Sequence, residues 1–471
     1  MKIAGLTIKG ITSNSKDVKN GFAFVAIKGN RQDGSDFIKE AIGKGAKIVV
    51  IQKDAGSIKL GDGIKLLKVK DCRKFLAESS AQFYGFPSQR LKVTGITGTN
   101  GKTTITYLIE AILKQAGADC GVIGTINYRF KNKTFKAQNT TPASFELQGL
   151  FLKMLDSSVK YCAMEVSSHA LDQDRVAGIN FNSAIFTNLT QDHLDYHRNF
   201  ENYFLAKAKL FRNLASDSFA IINNDDKYGR RIKNLSQAKI ITYGIKNKSI
   251  VTARDITFNI GSTEFTLTAP KIETRVKTNL VGIYNVYNIL AAICWALSQN
   301  LKINDIKNAI AGFKNVPGRL EKIKTKSGNN IFIDYAHTPD ALYNVISCLK
   351  KIVKGRLIVI FGCGGDRDKL KRPKMGKIAT SLADYVIITS DNPRSEEPGE
   401  IIKDIKKGAS GRNYYIECDR FKAICKGLAM LETGDCLLIA GKGHESYQIV
   451  NDKVFNFNDG KEVRKCLVSM K

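Results

Sequence analysis

Apolar positions along the chain fall into three successive stretches of strand and helix. In the first, residues 22–27 alternate as Phe-Ala-Phe-Val-Ala-Ile and residues 48–51 are continuously apolar, the patterns of short strands. Tyr84-Gly85-Phe86-Pro87-Ser88 interrupts them, since glycine and proline punctuate regular elements, and places a boundary near residue 90. From Leu91 an apolar run at 93–96 enters a glycine-rich loop. A helix-period stretch through Leu108, Ile109, Ile112 and Leu113 follows it. Residues 184–186 and 219–222 read as buried strands of the same sheet, the helical segment 285–293 closes the unit, and Val316-Pro317-Gly318 supplies a second break. Beyond it, candidate strands at 331–333, 357–361, 385–388 and 437–439 are separated by helical stretches, which predicts a doubly wound sheet. The expected architecture is α/β in three domains: a small N-terminal unit (1–90), a central unit (91–316) and a C-terminal Rossmann-like unit (317–471). A chain of 471 residues exceeds what one hydrophobic core organises.

Composition changes this picture little. The hydrophobic fraction of 43% and charged fraction of 25% are those of a folded globular protein, not a disordered one. A net charge of +29 invites a nucleic-acid or acidic-membrane partner, but the lysines are dispersed and form no block of like charge, so solubility accounts for them. The ten cysteines show neither a C-x-x-C pair nor zinc-ligand spacing and read as free thiols. The N-terminal residues lack a signal-peptide apolar core and no long apolar run occurs, which makes the cytoplasm the expected compartment, with no membrane or obligate protein partner.

Candidate chemistry begins at Gly98-Thr99-Asn100-Gly101-Lys102-Thr103-Thr104, between the expected strand and helix. There, backbone N–H groups and the helix N-terminus hold phosphates, Lys102 reaches the terminal phosphates, and the Thr103 hydroxyl is placed for Mg²⁺. The spacing departs from the commonest phosphate loop, because Ile96 stands where a first glycine is expected. A P-loop ATPase type of central domain follows. Glu165 ends an apolar run, a strand-end position from which a carboxylate can approach Mg²⁺. Arg394 follows an expected strand in Asp391-Asn392-Pro393-Arg394, where doubly wound sheets bind ligands, and offers a planar fork to a carboxylate.

These segments occur in the order found in the Mur ligase family, which the chain resembles over essentially its whole length. The resemblance rests on the loop 98–104, Asn139-Thr140-Thr141-Pro142, Met164-Glu165-Val166-Ser167-Ser168-His169, the segment 187–197, Ala206-Lys207, Asp334-Tyr335-Ala336-His337, Gly364-Gly365-Asp366-Arg367-Asp368, the Asp391 motif, and Gly441-Lys442-Gly443-His444-Glu445. It implies an ATP-dependent, Mg²⁺-requiring ligase that forms an amide through an acyl phosphate. By resemblance His193 joins Thr103 and Glu165 at the metal, Lys207 carries a carbamate that adds an anion there, and Asn285, Asp334 and His337 lie near the nucleotide. All five histidines fall in or beside these motifs; His169 and His197 are open between structural and functional roles.

The resemblance further implies that UDP-N-acetylmuramoyl-L-alanyl-D-glutamate binds through Ser13, Ser15, Asn30, Arg31 and Gln32 at its uridine end. Asn139, Thr140, Thr141, Ser167, Gln173 and Arg175 then meet the muramoyl-peptide end. Asn14 departs from the family, which shows an acidic residue there. Meso-diaminopimelate is the implied amine, held by Arg367, Asp391, Asn392, Pro393, Arg394, Gly441 and Glu445, since it carries one more carboxylate than lysine. A lysine-adding or folylpolyglutamate-synthetase-like ligase is the nearest alternative, and a basic P-loop nucleic-acid-binding ATPase the alternative of another class. Dividing ATP chemistry and the amine pocket between domains implies closure, with hinges near residues 90 and 317.

Overall fold

A computed structural model describes residues 1–29, 32–53, 60–61, 63–323, 329–451 and 453–469. Its N-terminal sheet is parallel, with Gly10–Thr12, Phe22–Val25, Ala46–Gln52 and Lys65–Val69 as successive neighbours. The alternation expected at 22–27 is not used as a half-exposed strand: Ala23, Phe24 and Val25 are all buried, because this inner strand is covered on both faces. Helix Cys72–Phe83 packs beneath, and Phe83 and Tyr84 lay their rings on Phe145 of the central unit.

The central sheet has eleven strands. Its parallel heart runs Cys120–Ile123, Tyr161–Glu165, Lys92–Thr97, Phe181–Phe186, Phe219–Asn223 and Lys239–Gly244, each strand paired with the next. Two antiparallel additions were not anticipated: Asn127–Phe130 with Lys133–Lys136 at one edge, and Val251–Asn259, Ser262–Ala269 and Ile272–Thr278 at the other. The signal was present at 262–269, whose residues are buried at every second position. Helix Ile283–Ser298 is buried on nearly all sides, as its apolar composition requires, and the further helix Ile303–Gly312 closes the unit after it.

The C-terminal sheet orders Glu321–Ile323, Asn330–Asp334, Cys436–Ala440, Leu357–Phe361, Tyr385–Ile388 and Tyr414–Ile416, parallel except for the first pair. All four strands expected here are present. Two helices, Arg420–Ala429 and Asp459–Ser469, cover one face and are joined by a disulfide between Cys425 and Cys466, with Cα atoms 5.5 Å apart. This corrects the reading of ten free thiols: 41 residues separate the pair in sequence, so only helix packing reveals it. The remaining eight are free. No helix among the described residues is long and apolar enough to cross a membrane.

Candidate active site

Strand register explains how the phosphate loop meets its carboxylate. Glu165 pairs with Ile96, so both strands end together where the loop begins. Gly98 and Gly101 have φ of 145° and 93°, and a Cβ on either would lie 1.8 Å from Thr187 Oγ1 or 2.3 Å from Asn288 Oδ1, so both positions demand glycine. Helix Lys102–Gln115 starts directly after the loop. Lys102 curls back and donates to the carbonyls of Gly98 and Thr99, each at 2.9 Å, and desolvation lowers its pKa.

Glu165 is buried and forms no ion pair with a basic side chain among the described residues. Its Oε1 accepts from Thr103 Oγ1 at 3.0 Å and from the Thr125 amide at 2.9 Å, and its Oε2 accepts from Thr125 Oγ1 at 3.0 Å. A buried, anionic oxygen donor beside a phosphate-loop hydroxyl is a donor set that suits a hard divalent cation. His193 faces the same cavity; desolvation pushes its imidazole down to about 3 against the pull of Asp192, 3.3 Å away, leaving a neutral ring able to ligate. Lys207 lies beneath the loop rather than in the cavity, almost fully buried, with Nζ donating to Gly98 O at 2.9 Å and stacked over Tyr203. Burial and the nearby Lys102 hold its pKa well below the ordinary lysine value. As an ammonium this side chain fits no metal.

One cavity of about 530 Å³ receives these groups together with the C-terminal domain. Residues 99–104, Glu165, His193, Asn285, Asp334 and His337 line it, as do Arg367, Asp391, Asn392, Arg394, Gly441 and Glu445. Asn139, Thr140 and Ser167 also line it. Thr141 is buried behind them, its hydroxyl donating to Glu165 O and accepting from the Ser167 amide. Gln173 and Arg175 bond each other outside the cavity, with Arg175 Nη1 on Thr141 O at 3.1 Å. Pro393 is packed behind the Gly365 backbone.

The amine end is tightly wired. Asn392 Nδ2 donates to Glu445 Oε2 at 2.8 Å, Lys442 Nζ reaches Asn392 Oδ1 and Glu445 Oε2, and Arg394, at φ 52°, donates Nη1 to Gly365 O. A hairpin of Tyr447–Val450 and Lys453–Asn456 braces the loop, with Ile449 N on Asn392 Oδ1 and Arg394 N on Ile449 O. Asp334 accepts from the Leu320 and Ala336 amides, and burial pushes its carboxyl up to about 6.

The N-terminal candidates are not brought to this cavity. Ser13 and Gln32 are exposed; Ser15 is buried, its hydroxyl donating to Glu40 at 2.8 Å. Asn30 and Arg31 lie outside the described residues.

Arg319 was missed by sequence reading. It follows the Val316-Pro317-Gly318 break, lines the cavity, donates Nη2 to Thr103 Oγ1 at 3.2 Å and lies over the Tyr335 ring. Its nearness to the Pro317-Gly318 punctuation was the available signal.

His169 and His197 pack with His193, Tyr196 and Tyr203 in one aromatic cluster behind the loop. His197 Nε2 bonds Ser168 Oγ at 2.9 Å, and burial pushes its pKa down to about 4. Because the unfolded chain protonates near 6.5, this residue contributes stability above that pH and loses it as pH falls toward 4. The stability advantage of the parent over His197→Gln should therefore shrink by roughly 1.4 kcal/mol per pH unit between pH 6 and 4.5. Denaturant melts of both proteins across that range test it; a constant difference contradicts it.

Residues 7–84 match the Mur ligase family catalytic domain, 96–296 the Mur ligase middle domain, and 318–443 the Mur ligase glutamate ligase domain. The UDP-N-acetylmuramoyl-L-alanyl-D-glutamate--2,6-diaminopimelate ligase of Clostridium perfringens is 45% identical, covering 98% of this chain and 95% of its own. The chain belongs to the Mur ligase family. The ligase of the same description from Aquifex aeolicus is also 45% identical, over 98% of this chain and 94% of its own. A solved Mur ligase structure described as a UDP-N-acetylmuramoyl-L-alanyl-D-glutamate--2,6-diaminopimelate ligase aligns with a TM-score of 0.70 at 31% identity, covering 100% of this chain and 97% of that one. The MurF ligase of Thermotoga maritima, solved with ADP, aligns with a TM-score of 0.66 at 19% identity over 98% of both chains, a likeness of fold within the Mur ligases.

Proposed function

We infer that this Mur ligase joins meso-2,6-diaminopimelate to UDP-N-acetylmuramoyl-L-alanyl-D-glutamate with cleavage of ATP to ADP and phosphate, a step of peptidoglycan biosynthesis. The observation that carries the reading is that one cavity is lined both by the phosphate loop and by Arg394, Asp391 and Glu445. In this reading residues 1–90 take the uridine end of the substrate, 91–316 take ATP, and 317–471 deliver the amine.

ATP lies along the loop, its phosphates on the amides of 98–104 and on Lys102, with Asn285, Asp334 and His337 toward the nucleoside. Thr103, Glu165 and His193 would hold Mg²⁺, joined by Lys207 only as a carbamate, and the bound ion would supply Lewis-acid neutralisation at the phosphoryl oxygens. The carbamate forms when the neutral Lys207 amine bonds to CO₂ and releases a proton.

Asn139, Thr140 and Ser167 orient the muramoyl peptide so that the D-glutamyl carboxylate oxygen bonds to the γ-phosphorus while the bond to ADP breaks. Lys102 and Arg319 neutralise the charge on the transferring group. The amine nitrogen then attacks the acyl carbon, loses its proton and expels phosphate. Arg394 offers two parallel N–H groups to the distal carboxylate of diaminopimelate, and Glu445 balances its distal ammonium. Closure of the walls keeps water from the acyl phosphate.

The test is a product assay with purified protein, ATP, Mg²⁺, the UDP-muramoyl dipeptide and either diaminopimelate or L-lysine, read by mass spectrometry. The diaminopimelate tripeptide should dominate by at least about a hundredfold, since a desolvated guanidinium without its carboxylate costs about 3 kcal/mol. Equal or preferential lysine addition overturns the assignment of the amine.

A further inference from the structure

Four cationic side chains cluster at the start of helix Lys371–Leu382, and three of them are satisfied. Arg372 is buried but paired with both Glu396 and Asp404, at 2.8 and 3.1 Å. Lys369 reaches Glu396 at 3.3 Å, and Lys374 donates to Gln191 Oε1 at 2.5 Å. Lys371 alone has no hydrogen bond or ion pair for its ammonium among the described residues, although it is only 5% exposed and lines the cavity. An ammonium held in a cavity wall with no protein partner calls for an anion that arrives with the ligand.

Two observations say which anion. Lys371 lines the same cavity wall as Lys102 of the phosphate loop, Asp192 and His337. The turn that carries it is held by Gln191, next to Asp192 and His193 of the central domain, so Lys371 belongs to the phosphate side. Its position is also braced across the domain boundary. Gln191 of the central domain accepts from Lys374 and donates to Asp368 at 3.2 Å, three residues to either side of Lys371.

We propose that Lys371 is a further catalytic residue of this Mur ligase: an ammonium carried by the C-terminal domain to the transferring phosphoryl group, opposite Lys102 and Arg319. The inference rests on the ligase reading above and deepens it. As the carboxylate oxygen bonds to phosphorus and the bond to ADP breaks, negative charge spreads over the phosphoryl oxygens, and Lys371 neutralises it while keeping its own protons. The same ammonium then faces the acyl phosphate and stabilises phosphate as it leaves. Because the group arrives with the C-terminal domain, phosphoryl transfer is favoured only when that domain is docked, and the acyl phosphate forms where the amine is already at hand.

The experiment compares full-length parent, Lys371→Met and Lys371→Arg. Steady-state turnover, ADP affinity, and ADP affinity in the presence of aluminium fluoride, a mimic of the transferring phosphoryl group, are measured with the UDP-muramoyl dipeptide bound. Lys371→Met should lower kcat about a hundredfold and lose a similar factor of the aluminium-fluoride-dependent gain in affinity, because that gain reports the charge of the transition state. ADP affinity alone should stay within threefold, and Lys371→Arg should recover part of both losses. The melting temperature of Lys371→Met should hold, since no protein group loses a partner. A kcat within threefold of parent overturns the proposal, as does a parallel loss of ADP affinity or a fall in melting temperature that reveals a structural cation. If the parent ligates no amine at all, the underlying ligase reading fails instead.

Discussion

Arg394→Ala should raise the KM for diaminopimelate by roughly two to three orders of magnitude while the KM for ATP should stay within about twofold. The guanidinium is drawn partly out of water, and its pKa is lowered by that desolvation and by neighbouring Arg367. A carboxylate entering this pocket exchanges its hydration for two charge-assisted hydrogen bonds. Truncating the arginine leaves that carboxylate desolvated and unpaired, a loss of about 3–4 kcal/mol. ATP is insulated from the change because its phosphate loop is built on the central domain, and the Arg394 guanidinium bonds Gly365 and Asn392 within its own. Initial-rate kinetics with each substrate varied separately measure both constants. An unchanged KM for diaminopimelate would remove Arg394 from the amine site.

Arg420→Met has the largest expected effect on stability, about 3–5 kcal/mol. Arg420 and Asp459 are both wholly buried and joined by two parallel bonds of 2.8 Å, and Arg420 also donates to Ser390 O and Ala440 O. Those carbonyls precede Asp391 and Gly441, so one side chain ties the two loops of the amine pocket to the final helix. The single variant leaves the Asp459 carboxylate buried without a counter-charge. Methionine keeps the volume, so the loss is electrostatic rather than a cavity. Thermal melts under reducing conditions, which open Cys425–Cys466 between the same two helices, should show a fall of roughly 10 °C in the C-terminal transition. Arg420→Met combined with Asp459→Leu should regain much of it, because replacing both partners removes the stranded charge. A single variant that melts with the parent contradicts this account.

Where local chemistry sufficed, the amino-acid order was legible. Apolar runs at 93–96, 184–186, 219–222 and 357–361 mark strands because each is buried on both faces of a parallel sheet. The glycines of the phosphate loop are readable because Lys102-Thr103-Thr104 follow them directly. The edge strands of the central sheet escaped notice: their short polar alternation is a weaker pattern than a continuous apolar run. Ser15 carries another lesson. A serine near an expected ligand is a plausible donor in a list of residues, yet here its hydroxyl is engaged with Glu40.

Periodicity and composition thus specify the three α/β stretches, the phosphate loop and the residue types able to move a phosphoryl group, since each depends on neighbours within a few positions. Packing alone specifies that Arg319 reaches Thr103 across 216 residues, that Lys207 is stripped of water beneath Gly98, that Lys371 lacks a partner while Arg372 has two, and that Cys425 meets Cys466. A side chain's charge state and partners depend on what surrounds it in space, and strand register and domain docking bring those surroundings from remote parts of the chain.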